Sequence, residues 1–143
     1  MELKADCIRD ILLYLEENLT LNLRSGNFSI IDLEQLYNGL SEIYSKEDIW
    51  YSVYNLHQIR FIEGKISEAA GHKMFFCEIQ NITWNGHQFL NNIRPLTIWE
   101  ATKIKAKQIG GMSIGALSMV SMSIVQAIAT NPTFIQNIVD TLK

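Results

Sequence analysis

The residues of this chain best suited to metal binding or nucleophilic chemistry are His57, His72, His87, Cys7 and Cys77. Their spacing disfavours both. No pair follows His-x-x-x-His or Cys-x-x-Cys, so a zinc site would need Cys77 and the histidines to converge from distant segments. The contexts Ala5-Asp6-Cys7-Ile8 and Phe75-Phe76-Cys77-Glu78 are ordinary helix and strand positions and predict two reduced, partly buried thiols. A phosphate-cradling glycine loop and His-Glu-x-x-His are absent, and Gly110-Gly111 is placed to end a helix rather than open one. The expectation is a non-enzymatic protein with no catalytic residue, no metal and no cofactor. His87 is expected to be structural, hydrogen-bonding beside a hairpin.

Surface recognition is the other chemistry on offer, and it centres on a helix expected from Ser45 to about Arg60. Ser45 suits the N-cap, with Asp48 three residues on as a weaker capping-box partner. One reading is DNA binding: Lys46, Tyr51, Asn55 and Gln58 would face outward, with Lys65 and Lys73 on the following hairpin. Asn and Gln can read adenine, and Tyr can reach a phosphate. Glu47 and Asp48 at the helix start oppose it, because acidic groups near phosphate work against counterion release. The favoured reading is protein binding through Trp50, Tyr51, Tyr54 and Asn55, since the aromatics exceed what one core face absorbs and such residues anchor interfaces. The plainer alternative packs Trp50 and Tyr54 inward, against the first helix and the tail.

The elements that would position these residues follow from periodicity. Ile8, Ile11, Leu12, Leu15 and Leu19 predict a helix over 6–19, with Asp6 capping or favouring its positive end. Ser25-Gly26-Asn27 marks a turn, and a short strand near Phe28–Ile30 would complete a sheet. Leu33, Leu36, Tyr37 and Leu40 predict a second helix. After the third helix, Phe61–Glu68 and Lys73–Ile82 suit a hairpin with a loop at Ala69–His72. Thr83 should cap a helix burying Trp84, Phe89, Leu90 and Ile93. Pro95 precedes another over 97–108, with Ile98, Trp99, Ala101, Ile104 and Ile109 as its apolar set. Three helices followed by a two-stranded wing is the order of a winged helix. The expected class is mainly α with a small β-hairpin (α+β), a winged-helix-like domain over 1–94 and a helical extension over 95–143.

Charge is unevenly distributed. The 143 residues carry a net charge of −3 and 19% charged residues. Residues 1–60 hold five basic and ten acidic groups, net −5; residues 61–109 hold six and four, net +2. From Ile109 to Val139 there is no charged residue. Low Gly, Pro and Cys content with 48% apolar residues excludes collagen-like, disulfide-scaffold and disordered classes. Ile114, Leu117, Ile124 and Ile128 trace a helical stripe in the tail, and Gly111 and Gly115 have the small-x-x-x-small spacing that lets helices approach. Self-association through these six residues is expected. A membrane anchor over 112–129 is the minor alternative, because the serines there leave the run only mildly hydrophobic. A last short helix would span 133–142, with Phe134, Ile135, Ile138 and Val139 inward. Met1-Glu2-Leu3-Lys4 is not the start of a signal peptide, so the cytoplasm is the expected location.

The run Ile82-Thr83-Trp84-Asn85-Gly86-His87-Gln88-Phe89-Leu90, followed by Ile93-Arg94 and Trp99, resembles a bacterial and phage family catalogued as domain of unknown function 2513. The opening Asp6-x-x-Arg9-Asp10-Ile11-Leu12-Leu13 and the junction Phe61-Ile62-Glu63-Gly64 are similar to that family as well, so the resemblance covers roughly 3–109. This chain has Gln58-Ile59-Arg60 where an Ala-Gly type turn would be expected, and Pro95 interrupts the spacer after Arg94. The resemblance implies a winged-helix-like fold and a setting on a mobile element, and it transfers no catalytic residue. A partner protein, with DNA as the alternative, is the expectation that follows.

Overall fold

The computed structural model describes residues 2–69, 72–131, 133, 136, 137 and 140, with the backbone alone over 67–69 and 72–76. The chain forms two compact units, Met1–His87 and Gln88–Lys143. The expected helix at 133–142 lies largely outside the described residues.

In the first unit, α1 (Ala5–Asn18) buries Cys7, Ile8, Ile11, Leu12 and Leu15, the face its periodicity selects. Its N-cap is Lys4, with no side-chain cap, and Asp6 sits in the first turn, where its charge meets the positive helix end. The expected turn carries paired two-residue strands, β1 (Leu21–Asn22) and β2 (Asn27–Phe28). They are closed by Asn22 Oδ1, which accepts from Arg24 N at 3.0 Å, and by Gly26 at φ 69°. Phe28 is thus taken by this small hairpin, and the strand expected at 28–30 lies instead at β3 (Ile31–Asp32), where Ile31 enters the core.

Asp32 then starts α2 (Leu33–Leu40) with a full capping box. Its carboxylate accepts from Gln35 N at 2.8 Å, and Gln35 Oε1 accepts from Asp32 N at 3.0 Å. Helix α3 (Lys46–Gln58) begins as expected at Ser45, whose hydroxyl accepts from Asp48 N, and buries Ile49, Ser52, Val53 and Leu56. Arg60 leaves it at φ 62°. Strands β4 (Ile62–Ala69) and β5 (His72–Ile82) form the hairpin, and the antiparallel sheet has the order β3-β5-β4. Ile62 pairs with Ile82 and Ile31 with Ile79, so four buried side chains line one strip of sheet. Burial pushes the Cys7 thiol up to about 11, the Ser52 hydroxyl beside it pulling the other way, and the Cys77 thiol up to about 12, helped by Asp32 and Glu78. Both stay neutral thiols at pH 7.

Helix α4 (Trp84–Ile93) starts at Thr83, whose hydroxyl accepts from Gly86 N at 3.1 Å. Its buried residues are Gly86, Phe89, Leu90 and Ile93. Trp84, expected inside, is 77% exposed because it lies opposite that face.

The second unit is built on α5 (Leu96–Gln108) and α6 (Ile114–Thr130), which pack with Ala101 and Ile124 at the contact and Ile98, Val120 and Ile128 around them. Trp99 is buried as well. The buried hydroxyls of Thr102 and Ser121 donate to their own helix, to Ile98 O and Ser118 O. Ile109, expected in the core, is the C-cap of α5 and is 71% exposed.

Candidate functional site

The outer side of α3 is assembled by two caps. Asp32 starts α2 and Ser45 starts α3, and the two helices bring Glu34 and Tyr37 to the first turn of α3. Lys46 forms an ion pair with the Glu34 carboxylate. Its ammonium lies 5.6 Å from the Tyr37 ring centroid and 6.0 Å from that of Trp50, within cation–π range. Lys4 lies 3.4 Å from the Asp48 carboxylate on the same turn. Lys46, one of the outward residues of the DNA reading, is therefore already beside a carboxylate and two rings.

The residues further along α3 are engaged locally too. Asn55 Nδ2 donates to Tyr51 O at 2.7 Å, and Gln58 Nε2 donates to the Tyr54 hydroxyl at 2.6 Å. Trp50, Tyr51, Tyr54 and Asn55 are each half-buried, and Trp50 Nε1 is a buried donor with no partner among the described residues. The aromatics thus form a half-buried surface on which Tyr54 accepts from Gln58, with Glu34 and Glu47 exposed at its edge. Lys65 is exposed on β4, and the side chain of Lys73 lies outside what is described. A second short contact ties α1 to the loop after α2: the Tyr44 hydroxyl donates to Asp10 Oδ2 at 2.5 Å. Burial and that hydrogen bond push the Tyr44 phenol well above its usual range.

His57, His72 and His87 remain on separate elements. Among the described residues, no group of three or more His, Cys, Asp or Glu is placed to hold a metal. His87 is half-buried and lines a cavity of about 210 Å³ with Leu15, Glu16, Leu19, Phe28 and Ile82 among its walls. A signal missed in the sequence is Gly111-Met112-Ser113-Ile114-Gly115, which has the spacing of a hydrolase nucleophile elbow. That motif needs a strand before the serine. Here α5 precedes it, and Ser113 is the N-cap of α6, accepting from Ala116 N at 3.1 Å.

In the tail, Ile114, Leu117 and Ile124 are buried within this chain, while Gly111, Gly115 and Ile128 are half-buried. Three of the six residues expected at a subunit contact are therefore already covered by packing inside the monomer. α6 has 17 residues, and among the described residues no helix is long and apolar enough to cross a membrane.

These features define a small α+β protein, mainly helical, with a three-stranded antiparallel sheet and a C-terminal helical pair. The family whose model matches residues 2–113 is described as "Hypothetical protein (DUF2513)", and the chain belongs to it. No curated protein and no solved structure matches the chain.

Proposed function

We propose that the Met1–His87 unit is a winged helix that acts by binding a protein and not by catalysis. The order helix, small hairpin, strand, helix, helix, hairpin, with the three-stranded sheet in the order β3-β5-β4, supports the winged-helix assignment. The observation that carries the protein-binding reading is the state of Lys46: its charge is already matched by Glu34 and it lies over Tyr37 and Trp50, so this face offers a phosphate little net positive charge. What the face offers instead is aromatic area with an acidic edge, the composition of a protein interface rather than of a nucleic-acid interface.

A bacterial or phage mobile element is the setting this reading adopts from the family resemblance, with a host or phage protein as the one modulated. Two unpaired, buried cysteines support a reducing, cytoplasmic location. DNA binding is the second reading, favoured by Asn55 and Gln58 on the same helix as Tyr51 and by the exposed Lys65. Self-association, in turn, would use the side of α6 that packing leaves open: Gly115, Ser118, Met122, Gln126 and Ala129 recur at helical spacing there.

Affinity capture from a native host, run with wild type and with a Tyr51→Ala/Tyr54→Ala variant, tests the main reading. A partner held by wild type and lost by about 30-fold or more in the variant is the expected result. Tight DNA binding whose log affinity falls steeply with log salt would overturn it. Sedimentation of the full chain tests the tail, and a monomer mass at all concentrations would remove self-association.

A further inference from the structure

We propose that the groove between α5 and α6 binds a small apolar monocarboxylate, of the class of medium-chain fatty acids. The inference goes beyond the reading above and uses none of the α3 face. The groove has a volume of about 370 Å³ and is lined by Lys105, Ile109, Ala116, Met119, Val120, Ser123 and Ile124. That is within the range of small-molecule sites, which begins at about 300 Å³. Its length along α6, from Ala116 to Ile124, is about 12 Å at 1.5 Å per residue.

The chemistry of the wall restricts the occupant. Ile109 and Met119 are 71% and 73% exposed, so apolar area stands in water unless something covers it. Ser123 adds little polarity, because its hydroxyl already donates to Met119 O at 3.1 Å. Among the described residues, Lys105 is then the one charged group on the lining, and it has no ion-pair partner; the nearby Lys103 is matched by Glu100 at 3.2 Å. One cation beside an otherwise apolar wall calls for one anion on an apolar chain. A second copy of the chain answers this poorly. The like face of α6 carries no charge, since Ile109 to Val139 has none, so no carboxylate from it would meet Lys105.

The test is a titration of full-length protein labelled with ¹³C at the methionine methyls, using octanoate, decanoate and 1-octanol as probes. The Met119 methyl is expected to shift saturably with octanoate, without a uniform shift of all the methionine methyls. Decanoate should bind about 15-fold more tightly, the equivalent of ~0.8 kcal/mol for each of two methylenes. Octanol should bind more weakly than octanoate. Lys105→Gln is expected to weaken octanoate about tenfold and leave octanol unchanged, whereas Lys107→Gln should alter neither. Ala116→Trp, which fills the groove from the other side, should abolish both. Absence of a saturable Met119 shift, equal affinity for octanol and octanoate, or uniform shifts at all methionines would each overturn the proposal. So would Met119 shifts that follow protein concentration alone, which would mark the groove as a contact between copies.

Discussion

Helices α3 and α5 end in the same hydrogen-bond pattern with different residues in the left-handed position. After α3, Phe61 N donates to Leu56 O at 2.9 Å and Arg60 N to His57 O at 3.0 Å. After α5, Gly111 N donates to Ala106 O at 3.0 Å and Gly110 N to Lys107 O at 3.2 Å. Both are Schellman ends. The residue that takes positive φ is Arg60 in one, at 62°, and Gly110 in the other, at 86°. Glycine accepts that conformation at little steric cost, while an L side chain there is disfavoured by about 1–2 kcal/mol.

What surrounds each end explains the difference. The Thr83 hydroxyl donates to Arg60 O at 2.6 Å, and Thr83 N donates to Phe61 O at 3.0 Å. Gly86 lies so close that a Cβ there would sit 2.1 Å from Phe61 O. The start of α4 therefore clamps the end of α3 from 23 residues away in sequence, and the clamp holds Arg60 in a strained conformation. Gly110 has nothing within 4 Å of where its Cβ would be, so its turn is set locally. The first unit fixes its turn by tertiary contact, and the second by residue choice.

The comparison can be broken at four points. Gly86→Ala should have the largest effect, a loss of about 3 kcal/mol in urea unfolding, because the added methyl meets backbone that cannot swing aside. Thr83→Val should cost about 2 kcal/mol, by removing the α4 cap and the donor to Arg60 O together. Thr83→Ser should recover most of it, and a valine variant as stable as wild type would show the clamp is idle. Gly110→Ala should cost about 1 kcal/mol, through backbone strain alone, since the space is open. Arg60→Gly should give the smallest change, a gain of about 0.5 kcal/mol: relief of strain less the extra chain entropy of glycine. A loss there, measured by thermal melting, would mean that the arginine side chain stabilises the turn in its own right.

The same division between local and distant causes decides what could be read from the sequence. The faces of α1 and α3 and the Ser45 and Thr83 caps were legible because each is set by neighbours within one or two turns, and the hairpin over 62–82 because its two strands are consecutive in sequence. The Asp32-x-x-Gln35 capping box is a local signature of the same kind. Strand β3 was misplaced because its position depends on Ile79 and Glu78, nearly fifty residues on. Trp84 and Ile109 looked like core by composition, yet each lies at a helix end away from the packed face.

The candidate site divides in the same way. Sequence placed Trp50, Tyr51, Tyr54 and Asn55 on one helix, since spacing along a helix determines which residues can share a surface. Only the tertiary structure assigned Lys46 to Glu34, turned Ile114, Leu117 and Ile124 into the monomer's own interior, and left Lys105 beside an apolar groove. The physical reason is that periodicity fixes which side chains an element presents, whereas the partner that covers or neutralises them comes from another element. Family membership, the helices and their caps were determined by the sequence alone. Which charges remain free and which apolar faces stay open was decided by packing.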